Sequence, residues 1–150
     1  MSFCNHCGVM TSYDPANIFA RMLRDEIPCH RIFEDGATLA ILDIMPQADG
    51  HALVIPKAPS RNLLDADPAV FAALFATAQT VARAQRQVFG VEGVLIQQFN
   101  EAAAGQTVFH LHVHVIPRRA GEPLRPHSAK MADSATLADQ AAKLRAAIGT

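Results

Sequence analysis

The stretch His110-Leu111-His112-Val113-His114-Val115-Ile116-Pro117-Arg118 places an imidazole at every second position of a run whose other residues begin as branched aliphatics. Successive side chains of a strand point to opposite faces, so His110, His112 and His114 line one face and Leu111, Val113 and Val115 the other. The aliphatic face can enter a core. Neighbours on the histidine face lie roughly 7 Å apart, two rises of ~3.3 Å, which lets one ring meet a reacting atom while the others orient and polarise it. A lone histidine on a half-buried strand is ordinarily satisfied by water or a carbonyl. Three in strict alternation make a poor core, because each buried imidazole needs partners, and they mark a site. Two readings fit the trio: a site in which one ring meets a reacting atom, and metal binding, in which His-x-His presents two nitrogens to one ion with a third ligand from elsewhere.

The rest of the chain fixes what kind of molecule carries this strand. With 150 residues, half of them apolar and 18% charged, it is expected to form one globular domain that buries most of its unfolded surface. Thirteen basic residues against fourteen acidic ones, with no dense Lys/Arg run, argue against a nucleic-acid backbone as partner while leaving single nucleotides compatible. No run of about 18 apolar residues predicts a membrane span, and the start lacks a basic-then-apolar leader, so the expectation is a cytoplasmic protein. Cys4, Cys7 and Cys29 are an odd set that builds no disulfide framework and suits a reducing compartment.

Periodicity predicts the elements. A short amphipathic helix covers Asn17 to Arg24, with Ile18, Phe19, Met22 and Leu23 on one face and Pro28 beyond it. His30–Phe33 and Thr38–Leu42 read as strands joined by a Gly-containing hairpin loop, and His51–Pro56 as a third strand ended by proline. From Pro68 to about Phe89 the apolar positions follow a helical repeat, with Asp67-Pro68 as cap and first-turn proline and Gly90 as stop. Val94–Phe99 and Val108–Ile116 read as fourth and fifth strands, antiparallel through the loop Asn100–Thr107. Residues 117 to about 128 are expected to be irregular. Ala135–Ile148 should close the chain as a helix whose packing the sequence leaves open. Strands in hairpins with one long helix give an α+β domain on an antiparallel sheet.

The loop before the histidines is composed for close approach to an anion. Gly105 permits torsions a side chain would block, Asn100 and Thr107 offer neutral donors, and successive backbone N–H groups can form a concavity. An ordinary hairpin loop has the same composition. Asp43, at the end of an apolar strand, is either a solvated turn residue or a carboxylate able to accept from both hydroxyls of a ribose. His51 is either a surface residue after Gly50 or, if the third and fifth strands bring it near His110, part of the site.

His-x-His-x-His preceded by Asn-Glu and Gly-Gln-Thr, with Gly50-His51-Ala52-Leu53-Val54-Ile55-Pro56-Lys57, Glu26-Ile27-Pro28, Phe33-Glu34-Asp35 and Leu42-Asp43-Ile44 in order upstream, resembles the histidine triad (HIT) family, in particular its Hint-like and bacterial hydrolases. The resemblance runs from about Ile18 to Arg118. It implies a HIT domain over 17–118, between an N-terminal tail at 1–16 and a C-terminal extension with a helix at 119–150. It also implies a five-stranded antiparallel sheet with one long helix, a short N-terminal helix and a C-terminal helix, and a homodimer in which two sheets join.

The implied activity is hydrolysis or transfer at the α-phosphate of purine nucleotide conjugates such as phosphoramidates or dinucleoside polyphosphates, with no cofactor. Carried onto this sequence, the resemblance makes His112 the nucleophile that forms a nucleotidyl-histidine, with His110 and His51 supporting it and His114 contacting phosphate. Asn100, Gly105 and Thr107 fall on phosphate positions, Asp43 on the ribose position, and Phe19, Met22, Ile41 and Ile44 on the base pocket. Imidazole suits such covalent catalysis because an ordinary pKa of about 6.5 leaves a neutral nucleophilic nitrogen near pH 7.

Some relatives bind structural zinc through Cys-x-x-Cys at the first helix together with histidines equivalent to His51 and His110. Here those cysteine positions read Asn17 and Ala20, so no metal is expected at that site. Cys4-Asn5-His6-Cys7 has ligand spacing but lies about ten residues too early, and Met10 offers a second start that would remove both cysteines. Two other functions stay open at this stage: a nucleotide-binding sensor or scaffold with incidental hydrolysis, and a metal-dependent hydrolase using the histidine cluster.

Overall fold

The computed structural model describes residues 12–127 and 130–150; Cys4, His6, Cys7 and Met10 lie outside the described residues. In chain order the elements are α1 (Ile18–Leu23), β1 (Arg31–Glu34), β2 (Thr38–Leu42), β3 (Ala52–Pro56), α2 (Val70–Phe89), β4 (Gly93–Gln97), β5 (Val113–Arg118) and α3 (Ser134–Ile148), with a single 3-10 turn at Ala102–Ala104. The five strands form one antiparallel sheet in the order β1-β2-β3-β5-β4. This is the α+β architecture expected from the hairpin spacing and the one long helix.

Period-two alternation divides the sheet into two faces. Ala40, Leu42, Ala52, Val54, Val113 and Val115 join Leu111 and pack under Leu74, Ala78, Val81 and Ala84 of α2. Leu39, Ile41, Leu53 and Ile55 turn the other way and meet Phe19 and Met22 of α1. The first face is the main core; the second is only partly covered, and the site lies there. α3, whose packing the sequence left open, adds Leu137, Ala141 and Leu144 to the main core beside α2 and β1.

Local chemistry explains the ends of the elements. Asn17 caps α1 by accepting from the Ala20 amide at 2.9 Å, and Asp133 caps α3 by accepting from the Thr136 amide at 3.0 Å. Regular α2 begins at Val70 after a turn through Pro68 and Ala69, where Asp67 accepts from the Ala69 amide at 2.9 Å, and Gly90 ends it in the left-handed region at φ 61°. The fifth strand starts later than the alternation predicts. Pairing begins at Val113, and His110 to His112 precede the ladder, where the Leu111 amide donates to the Ser60 carbonyl at 2.9 Å. The alternation of faces survives without the ladder.

Candidate active site

Two segments bring the histidines together, the β5 segment and the turn into β3. That turn depends on Gly50, whose φ is +81° and whose Cβ, if it had one, would sit 2.3 Å from the Phe89 ring. Gln85 of α2 then ties both segments from the core side, its buried amide donating to the Gly50 and Val115 carbonyls at 2.8 Å each. Across the β3–β5 ladder Leu53 faces His114, so His114 and the Phe19/Met22 cluster share one face.

The hydrogen bonds assign the ring protons. His112 Nδ1–H donates to the His110 carbonyl at 2.6 Å, which leaves its Nε2 as a lone pair on a ring that lines the pocket. His110 donates from Nε2 to the Pro56 carbonyl at 2.8 Å and accepts at Nδ1 from the Tyr13 hydroxyl at 2.7 Å. His51 accepts at Nδ1 from the Gln47 amide at 3.1 Å, so its Nε2–H donates to His114 Nδ1 at 2.9 Å, and His114 carries its remaining proton on Nε2. The set therefore presents one lone pair, on His112, beside one N–H donor, on His114. Their rings are 5.1 Å apart, and Phe19 stands edge-on to His112 at 4.8 Å.

Burial keeps these rings neutral. It pushes His112 down to about 4, against the opposing pull of the His110 carbonyl, and pushes His51 and His114 down to about 3. It lowers His110 as well and raises Asp43, whose carboxylate the Met45 amide and His127 hold back from a larger shift. A neutral imidazole near pH 7 is the form that has a lone pair to give.

The rings open into a pocket of about 720 Å³. Phe19, Met22, Ile41, Asp43, Ile44, Gly105, Thr107, His112 and His114 all line it. His110 and His51 stand behind His112 and His114 as hydrogen-bond partners. Asn100 does not line it: its Oδ1 accepts from the Leu63 amide at 2.9 Å and from Gln98 at 2.8 Å. Nor do the loop's successive amides face outward, since those of Ala104, Gly105 and Gln106 donate to the Glu101 and Ala102 carbonyls.

A HIT domain family model matches residues 24–121. The chain belongs to the histidine triad (HIT) family. A HIT-like protein from Bartonella henselae, described as involved in cell-cycle regulation, is 47% identical and superposes with a TM-score of 0.88 over 91% of this chain and 99% of its own. An adenylylsulfatase from Arabidopsis thaliana is 38% identical over 120 residues, 76% of this chain and 61% of its own length. An adenosine 5′-monophosphoramidase from Saccharomyces cerevisiae is 35% identical over 106 residues, 71% of this chain and 65% of its own. This HIT chain thus spans less than two thirds of either enzyme.

The zinc arrangement of some HIT proteins does not fit the donors present. Asn17 stands at one cysteine position and is engaged as the α1 cap, Ala20 stands at the other, and both ring nitrogens of His110 are engaged. Among the described residues the group whose ligand atoms fall within 4.8 Å of one another is Asp43, His51 and His114, not the alternating trio. Even there the His51 proton lies between two of the donors.

Sequence reasoning missed several residues that build or line the site. Gln106 is buried and organises the loop, accepting from the Glu101 amide at 2.8 Å and donating to the Arg61 and Val108 carbonyls. Glu101, in the positive-φ region at 74°, is clamped by Arg61 at 2.8 Å and Asn62 at 2.6 Å. His127, from a stretch without periodicity, lines the pocket beside Asp43. No local pattern marks Arg61 or His127; Tyr13, in the segment read as a tail, carried a signal only in being the chain's one tyrosine.

Proposed function

We propose that this HIT protein is a nucleotidyl hydrolase or transferase acting on the α-phosphate of adenosine nucleotide conjugates through a covalent intermediate on His112. The observation that carries the reading is the Nδ1–H bond from His112 to the His110 carbonyl, because it dedicates the Nε2 lone pair to the pocket. The Nε2 pair attacks phosphorus, the bond from phosphorus to the leaving group breaks with its electrons on the leaving atom, and that atom takes a proton from water. Water then attacks the nucleotidyl-histidine, loses a proton to solvent, and releases the nucleoside monophosphate while Nε2 regains its pair. Splitting one displacement into two lowers each barrier. His114 Nε2–H supplies a donor for a phosphoryl oxygen, Gly105 and Thr107 flank it, the Asp43 carboxylate takes the ribose hydroxyls, and Phe19, Met22, Ile41 and Ile44 form apolar walls for a purine.

The names of the Arabidopsis and yeast relatives support adenylyl conjugates as the substrate class, one with sulfate and one with an amine as leaving group. The test is His112→Ala assayed on adenosine 5′-phosphoramidate, with nucleotide binding measured alongside. Turnover is expected to fall by about 10³-fold or more, as for loss of a covalent nucleophile, while binding persists; full activity in the variant would rule out the mechanism. Comparing specificity constants for phosphoramidate, adenylylated lysine and diadenosine polyphosphates assigns the leaving group.

The same reading makes the protein a homodimer. Among the described residues β4 is a sheet edge with one strand neighbour, and it exposes Ile96, an arrangement suited to pairing with a second copy. Sedimentation should give twice the 16.2 kDa chain mass, and a monomer at micromolar concentration would contradict it.

A further inference from the structure

We propose that His127 is a phosphate-binding residue of this pocket, reaching the α-phosphoryl oxygens of the bound nucleotide from the Asp43 side. The inference rests on the nucleotide reading above and adds to it a residue outside the histidine motif. Three observations carry it.

The first is position. His127 Nε2 lies 3.6 Å from Asp43 Oδ2, and its ring stands edge-on to His114 with centroids 6.2 Å apart. His114 in turn is 5.1 Å from His112. His114 is therefore in ring contact with both His112 and His127, and the three rings line one pocket.

The second is charge. Among the described residues no lysine or arginine lines the pocket, and its one carboxylate is Asp43. A phosphate entering beside Asp43 brings like charge against like, and an N–H donor between them relieves part of the repulsion. His114 and His112 are buried, whereas His127 is 40% exposed at its side chain. The titratable groups facing it are Asp43 at the end of β2, His51 before β3, and His112 and His114 of the β5 segment. From beside Asp43, a ring N–H of His127 can donate to a phosphoryl oxygen.

The third is anchorage. The Arg125 amide donates to the Gln47 carbonyl at 2.8 Å and the Ala132 amide to the Ile44 carbonyl at 2.8 Å, while Arg125 pairs with Asp49 at 2.9 Å. Arg125, two residues before His127, and Ala132, after it, are thereby bonded to the loop that follows Asp43, which is how a residue of the C-terminal extension comes to face the site.

The experiment is calorimetric titration of the full chain, wild type, His127→Ala and His127→Phe, with adenosine 5′-monophosphate and with adenosine. Phe keeps the ring against His114 and removes both nitrogens, so it separates hydrogen bonding from packing. Both substitutions should weaken the monophosphate by about tenfold or more, as for a charge-assisted hydrogen bond, and leave adenosine within about twofold. Equal weakening of the two ligands, an unchanged monophosphate affinity, or a Phe variant that binds like wild type would overturn the role of His127 alone. A wild-type protein that binds neither ligand would overturn this inference together with the nucleotide reading.

Discussion

The neutrality of His112 has a kinetic consequence that differs sharply from that of an ordinary histidine. Burial holds it at about 4, and its value as a nucleophile depends on the unprotonated fraction. At pH 5 a ring titrating at about 6.5 would be roughly 3% neutral, whereas one titrating at about 4 is roughly 90% neutral, a difference of about thirtyfold in reactive enzyme. The perturbation is therefore pH alone. The assay is kcat/KM from pH 4.5 to 8 on an aryl ester of adenosine 5′-monophosphate, whose phosphodiester keeps one negative charge throughout, because kcat/KM reports the free enzyme's ionisations. The expected profile has no descending limb between pH 8 and 5. A thirtyfold fall centred on pH 6.5 would show a solvated nucleophile and refute the reasoning from burial.

The same shifts act on stability. His51, His112 and His114 are pushed below the roughly 6.5 of the unfolded chain, so stability is complete above pH 6.5 and falls as pH drops toward 4, on the order of 1.4 kcal/mol per pH unit for each proton the unfolded chain takes up. Urea midpoints at pH 7 and 5 measure this, and equal midpoints would contradict it. Gln85→Leu leaves the buried Gly50 and Val115 carbonyls without their shared donor, at a cost of about 2–4 kcal/mol, and should lower Tm by about 5–15 °C with activity reduced at the assay temperature. An unchanged Tm would mean that this amide does not hold the two histidine segments together.

Much of the fold was legible because side-chain alternation is a property of extended backbone and does not require a ladder. Leu111, Val113 and Val115 enter the main core as their spacing demands, even though pairing begins only at Val113. α3 was harder to place: its buried face is Leu137, Ala141 and Leu144, a stripe too small and too alanine-rich to announce which layer it joins. Within the site, Phe19, Met22, Ile41, Asp43 and Ile44 were placed by the family resemblance alone, and their side chains line the pocket. The side chain of Asn100 does not, because its direction is decided by Leu63 and Gln98 rather than by its neighbours' composition. His127 was invisible for a related reason. Its location is set by two backbone hydrogen bonds to the loop after Asp43, made by Arg125 and Ala132, and contacts of that kind leave no period in the sequence.

The proposed chemistry turns on one nitrogen, Nε2 of His112. Rapid acid-free quenching during turnover of an adenosine 5′-monophosphate conjugate, followed by peptide mass spectrometry, should find an adenylyl group on the peptide containing His112, lost on longer incubation and absent from His112→Ala. An adduct on another residue, or steady turnover with no adduct at any quench time, would contradict the account.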